Sequence, residues 1–194
     1  MPICLSKQLN LGRFETRTER PDFPFHQVTQ VHGNDIVHLN EIPCEADGII
    51  VNWTDYKNPL AIKTADCLPV VIEGESGVVF LHAGWKGLAN GILQQSEIKS
   101  IQPLTAYIGP SIQSCCFEVS QDFRENFPQS SFFHEKKEKL FFSLQAEAEK
   151  RLKDLHPHLT ITISHDCTFC HPMYHSYRRD KTTQRNWNIY IKGS

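Results

Sequence analysis

Three residues, His32, Cys67 and His82, are of the types that hold a transition metal, and each falls beside an apolar run. Thiolate and imidazole are zinc ligands, and a site with three protein ligands keeps a fourth position for water or substrate, which distinguishes catalytic from structural zinc. Zinc there would lower the pKa of a bound water or polarise a leaving group. The three residues are 35 and 15 positions apart, so spacing alone does not unite them. A metal-free alternative uses the same side chains, with Cys67 as thiolate nucleophile and His82 or His32 as its base. Asp66, next to the thiol, either orients an imidazole or caps a turn. Its charge should raise the thiol pKa, which counts against the nucleophile version.

Two other cysteine patterns stand apart from these. Cys167-Thr168-Phe169-Cys170-His171 has the spacing of covalent haem attachment, but that chemistry goes with export and the chain opens on no signal-peptide pattern. Cys115/Cys116 and Cys167/Cys170 could together form a structural zinc site. Adjacent cysteines do not easily both turn to one small ion, so buried reduced thiols are the expectation. Seven cysteines, an odd number without a compact framework, also favour reduced thiols over disulfides.

The stretch Ala61–Gly87 must position Cys67 and His82. Leu60–Thr64, Val70–Ile72 and Val78–Leu81 read as strands, the last two joined by a hairpin turn over Gly74–Gly77. Asn34–Leu39 and Gly48–Val51 are further strands, the second entered through Ala46-Asp47-Gly48. Trp85–Ile101 reads as a helix interrupted at Gly91, its start near His82 and favourable to an anion. Leu104–Ile108 is a strand, and Cys115–Phe127 has Cys116, Val119, Phe123 and Phe127 at helical spacing before Pro128. Leu140–Leu155 is the clearest helix. Leu144, Ala148, Leu152 and Leu155 form its stripe, with Glu147, Glu149, Lys150, Arg151 and Lys153 facing water. Thr160–Ser164 and Trp187–Ile191 alternate as strands. In Met1–Phe25 no element is legible, and Pro21 and Pro24 interrupt it. This mixture predicts an α+β fold, a single domain of layered β-sheets covered by helices.

At 194 residues, 40% of them hydrophobic and 22% charged, one folded domain is expected over residues 1–194. Twenty Lys and Arg against 22 Asp and Glu call for neither nucleic acid nor an anionic membrane. No apolar run approaches the roughly 20 residues of a membrane span, so a cytoplasmic protein is expected. His171–Ser194 carries five cations, Arg178, Arg179, Lys181, Arg185 and Lys192, against Asp180 alone. That cationic edge suits either a phosphate-bearing ligand or a solvated strand edge.

The blocks QVHGNDIV (Gln30–Val37), ADGIIVN (Ala46–Asn52), TADCLPV (Thr64–Val70), HAGWKG (His82–Gly87), IGPSIQSCCFEV (Ile108–Val119) and SYRRD (Ser176–Asp180) occur in that order. Together they resemble the laccase-domain, or polyphenol oxidase, family, whose YfiH-like members are described as purine nucleoside phosphorylases with adenosine deaminase and methylthioadenosine phosphorylase activity. The resemblance implies an α/β/β/α sandwich and a metal site, usually zinc, at His32, Cys67 and His82. Family members carry a longer segment before the VHG block; here 31 residues precede His32, with Asn10-Leu11-Gly12 as a remnant. A family TGR is here Thr183-Gln184-Arg185, so part of the ligand-binding wall is expected to differ.

Phosphorolysis of a nucleoside needs cations to orient phosphate against an oxocarbenium-like transition state. Lys86, Arg178, Arg179 and Arg185 are the candidates, with Glu118 as the carboxylate for proton transfer. The reading is a zinc-dependent purine nucleoside phosphorylase with adenosine deaminase activity, acting on small molecules without nucleic acid or membrane. The alternatives are a cytoplasmic amidase or peptidoglycan-precursor editing hydrolase on the same metal, a copper phenol oxidase, and a metal-stabilised binding protein. Multicopper chemistry would want more clustered histidines than the ten scattered here.

Overall fold

A computed structural model describes residues 3–193. In chain order the strands and helices are β1 Ile3–Gln8, β2 Gly12–Arg17, β3 Ile36–His38, β4 Gly48–Asn52, β5 Leu60–Thr64, β6 Leu68–Gly74, β7 Gly77–Ala83 and α1 Trp85–Ala89. These are followed by α2 Ser96–Ser100, β8 Pro103–Ile108, β9 Glu118–Val119, β10 Phe133–Lys136, β11 Lys139–Phe142, α3 Leu144–Leu155, β12 Thr160–Ile163, α4 Tyr177–Asp180 and β13 Asn186–Lys192.

Strands β6 and β7 are buried along their whole length, as their unbroken apolar runs require. Because side chains alternate across a strand, the two faces enter different cores. Val70, Ile72, Val79 and Leu81 pack toward the helical layer with Leu88, Ile98, Leu144, Ala148 and Leu152. Val71, Val78 and Phe80 pack the other way, against Phe14, Leu60, Ile62 and Tyr190 of a second sheet. The larger sheet has the order β12-β8-β6-β7-β4-β3 and the second β1-β2-β13-β5, with a small β10-β11-β9 sheet beside them. This is the layered α+β architecture expected from the sequence. Phe14, fully buried and edge-on to Phe80 and Tyr107, joins the two sheets, a burial worth about 2–3 kcal/mol.

The β6–β7 hairpin forms as expected, and close approach explains its flanking glycines. A Cβ on Gly74 would lie 2.2 Å from Ile101 O, and one on Gly77 2.3 Å from Val51 O. Several local expectations are corrected. Trp85–Ile101 is not one helix, because Gly91 turns left-handed at φ +85° and separates α1 from a short 3-10 turn and α2. Cys115–Phe127 is not a helix: a tight turn, β9 and a 3-10 segment at Gln121–Asn126 replace it. The helical spacing there instead serves an aromatic cluster in which Phe123 contacts Trp85, Phe117, Phe127 and Phe142.

Helix α3 begins only at Leu144, where Ser143 Oγ accepts from Ala146 N. The residues before it form the β10–β11 hairpin, hidden from sequence because Lys137 and Glu138, not Gly or Asn, take positive φ. Leu155, assigned to the apolar stripe, is 43% exposed, whereas Glu147 is buried and bridged to Arg151 at 2.6 Å. The N-terminal stretch is the β1–β2 hairpin. Its Asn10 and Leu11 N–H groups donate to the buried Glu73 carboxylate at 3.1 Å, so the Asn10-Leu11-Gly12 remnant anchors a turn.

Candidate metal centre

Cys67 immediately precedes β6 and His82 is the penultimate residue of β7, and the antiparallel register sets Pro69 opposite His82 and Leu68 opposite Ala83. Pairing therefore brings the thiol and imidazole to the same sheet end. His32 comes from the long loop between β2 and β3, where its backbone is left-handed at φ +61°. What holds this strained loop is Asp47. Its carboxylate accepts from the N–H groups of Val31, His32 and Gly33 at 3.2, 3.0 and 2.6 Å. The same carboxylate meets Nδ1 of His82 at 2.6 Å, and Asp47 O accepts His82 N at 2.7 Å.

The result is a compact donor set. One ring nitrogen from each histidine and the Cys67 sulfur lie within 4.8 Å of one another, with the imidazole centroids 4.7 Å apart and nearly perpendicular. Nδ1 of His82 is engaged by Asp47, which leaves Nε2 as the free ligand atom, the usual way a carboxylate orients a metal-binding histidine. Gly84 lies against the thiol: a Cβ there would stand 3.1 Å from Cys67 Sγ. Donor types, mutual distances and the buried supporting carboxylate all fit a divalent transition metal held by His32, Cys67 and His82.

The electrostatics agree. Burial opposes ionisation of Cys67, yet the His82 charge and hydrogen bonds from both imidazoles outweigh it and bring the thiol down to about 6. The expectation that Asp66 would raise this thiol is corrected, because that carboxylate is turned away. It accepts from Thr168 Oγ1 and Arg178 N, both at 2.7 Å, and so anchors loops instead of an imidazole. His82 rises to about 9: burial acts to lower it, but the Cys67 thiolate and the Asp47 bond prevail. Asp47 sits below the usual carboxylate range. Burial acts to raise it, and the His82 bond and the Gly33 and Val31 N–H groups more than offset that.

These donors face a cavity of about 1130 Å³. Trp85, Phe117 and Tyr177 contribute aromatic wall, and Lys63, Lys86, Arg178, Lys181 and Arg185 contribute charge. None of these five cations is paired with a carboxylate side chain among the described residues. Arg178 lies over the Phe117 ring, with Cζ 5.3 Å from the centroid, and donates to Glu118 O at 2.7 Å.

Of the residues singled out by sequence, His32, Cys67, His82, Lys86, Arg178 and Arg185 meet at this cavity. Arg179 and Glu118 do not line it. Arg179 spends its guanidinium on the carbonyls of Thr168, Phe169 and Tyr174, and Glu118 pairs outside with Lys139 at 2.8 Å. Sequence reasoning passed over Asp47 and Lys63, and named Lys181 only as part of the cationic edge. Asp47 carried one signal, an acid at the entrance to the apolar strand Gly48–Asn52, where an unpaired carboxylate would be costly.

A family model described as multi-copper polyphenol oxidoreductase laccase matches residues 8–191. The chain belongs to this laccase family. Among curated laccase-family relatives, it is 35% identical over 164 residues to a protein of Aquifex aeolicus named purine nucleoside phosphorylase, covering 80% of this chain and 77% of that one. It is 32% identical over 170 residues to purine nucleoside phosphorylase YfiH of Escherichia coli, covering 81% and 70%. A Neisseria meningitidis crystal structure superposes with TM-score 0.78 at 29% identity, over 88% of this chain and 76% of that one. YlmD of Geobacillus stearothermophilus shares the fold at TM-score 0.72 and 23% identity, over 87% and 73%. Among the described residues no helix is long and apolar enough to cross a membrane.

Proposed function

We propose that this laccase-family chain is a zinc-dependent purine nucleoside phosphorylase, acting on adenosine, inosine or methylthioadenosine, with adenosine deaminase activity at the same centre. The observation that carries the reading is the union, in one cavity, of the His32–Cys67–His82 donor set with five cations that have no carboxylate side-chain partner among the described residues. The relatives named purine nucleoside phosphorylase support it.

In phosphorolysis a phosphate oxygen attacks C1′ of the ribose as the bond from C1′ to the purine nitrogen breaks, and the departing base takes up a proton. Lys86, Arg178 and Arg185 hold the phosphate and orient its attack, and Lys63 and Lys181 add to the positive field. Trp85, Phe117 and Tyr177 offer apolar faces to the nucleoside and exclude water from the reacting carbon. Asp47 fixes the His82 ring and the His32 loop together, so the donor set is already arranged before substrate enters. His32, Cys67 and His82 would hold the zinc, which would supply Lewis acidity toward the leaving group or a water.

Phenol oxidation by several coppers is less well supported, because the described residues contain two groups of three or more metal-type ligands and one of those is all cysteine. The test is an assay of purine release from adenosine, inosine and methylthioadenosine with and without phosphate, on protein of measured metal content. Phosphate-dependent release is the expected result. Metal-replete protein that releases no base, or cleaves an amide substrate without phosphate, would overturn the reading.

A further inference from the structure

The pairs Cys115/Cys116 and Cys167/Cys170 were expected to remain separate buried thiols, and the structure brings all four together. Their sulfurs lie within 4.8 Å of one another, at 3.5 Å for Cys115 to Cys116, 3.9 Å for Cys115 to Cys170 and 3.3 Å for Cys116 to Cys170. A tetrahedron of sulfurs around zinc at about 2.3 Å has edges of about 3.8 Å. The cluster is therefore already close to the size a single ion would impose.

The topology explains how adjacent cysteines can share one centre. Strands β8 and β12 are parallel neighbours, with Thr105 opposite Thr160 and Ile108 opposite Ile163, so the loops that follow them leave the same end of the sheet side by side. In the first loop the N–H groups of Cys116 and Phe117 both return to Gln113 O, winding one tight turn. In the second, the N–H groups of Cys170 and His171 return to Cys167 O. The loops are stitched together by Thr168 N to Ser111 O at 3.1 Å and Gln113 N to Cys167 Sγ at 3.4 Å. The N–H bond to sulfur is a feature of thiolate ligands, and Cys115 and Cys170 are exposed, which leaves the ion a path of entry.

We propose that Cys115, Cys116, Cys167 and Cys170 form a second metal site that binds one zinc ion as a closed structural tetrathiolate. Binding displaces the four thiol protons to solvent, and the unit of four thiolates and one Zn²⁺ carries a charge of about −2. The guanidinium of Arg179 donates to Thr168 O and Phe169 O at 2.9 Å each and pairs with Asp180 at 2.8 Å, so it braces the ligand-bearing turn. The site braces the substrate cavity without touching it. Phe117 and Arg178 stand on one clamped loop and its contact, and Thr168 on the other reaches Asp66 beside Cys67.

The experiment is metal analysis of the full chain purified under reducing, anaerobic conditions, with zinc and then cobalt as probes. Wild type should hold two zinc per chain, and Cys67→Ala should keep one. Cobalt-loaded Cys67→Ala should show intense sulfur-to-cobalt charge-transfer absorption, and adding Cys115→Ser and Cys170→Ser to that same variant should abolish it. Because Cys67→Ala leaves the cluster intact, failure of the serine variant to fold does not disable the test. Cys67→Ala protein that binds neither zinc nor cobalt, or whose mass shows a disulfide between these cysteines in the anaerobic preparation, would overturn the proposal. One zinc in wild type, retained in Cys67→Ala, would uphold this site and refute the His32–Cys67–His82 metal centre.

Discussion

The carboxylate of Asp47 and the imidazole of His82 meet at 2.6 Å with both side chains buried, and the same carboxylate gathers three successive N–H groups around His32. One acid thus sets the position of two of the three proposed metal ligands. Asp47→Asn keeps the size but removes the charge and places a donor beside His82 or the loop. A 10–100-fold loss of zinc affinity is expected, with a parallel fall in turnover at limiting zinc. Competition with a zinc chelator measures it, and unchanged affinity would show that Asp47 serves the loop alone.

Cys67→Ala removes the only sulfur of the proposed centre. The variant should fold, lose the zinc assigned to that centre and lose phosphate-dependent purine release by at least 100-fold. Treating wild type with a strong chelator should reproduce the loss, and added zinc should reverse it. Turnover that survives in the metal-free variant would point to chemistry carried by the other side chains.

Among the cations, Lys86 is the cleanest probe, since its ammonium has no carboxylate partner among the described residues and contacts the Trp85 ring at 5.6 Å. Lys86→Ala should raise KM for phosphate about 10–100-fold, the range set by one charge-assisted hydrogen bond, while KM for the nucleoside changes little. Steady-state kinetics with each substrate varied in turn separates these outcomes. Equal effects on both constants would place Lys86 outside the phosphate subsite.

The metal-free protein should have a stability plateau bounded by two titrations. Cys67, lowered to about 6, contributes stability that is complete above its unfolded value and is lost as pH falls through 6. His82, raised to about 9, contributes stability that is complete below its unfolded value and is lost as pH rises through 9. Between those limits the decline of one offsets the growth of the other. Thermal melts of chelator-treated wild type should therefore fall away on both sides of about pH 6–9, and Cys67→Ala should lose much of that profile. Identical profiles would mean the imidazolium and thiolate do not pair.

Glu73 is a stability prediction remote from the cavity. Its buried carboxylate accepts from Asn10 N, Leu11 N, Thr105 Oγ1 and Tyr190 OH, joining the β1–β2 turn to both sheets. Glu73→Ala strands these donors and should cost about 3 kcal/mol in chemical denaturation, with the metal centre intact. A cost below about 1 kcal/mol would mean that water replaces the carboxylate.

The strands on which the candidate site rests can be read from the order of residues alone. Leu60–Thr64, Val70–Ile72 and Val78–Leu81 are legible because long apolar runs must be buried and alternate faces force them between two layers. His32, Cys67 and His82 were legible as types, and their shared motif blocks made them a set. Tertiary structure alone decided which polar groups meet. Asp47 could take the role first considered for Asp66 only because β4 lies beside β7, whereas Asp66 is drawn to Thr168 and Arg178, 102 and 112 positions away. The four distal cysteines converge for the same reason: parallel pairing of β8 with β12 sets their loops side by side. Local periodicity reports what a segment buries; the partners of a charge or a thiol depend on strand order, which no single segment encodes.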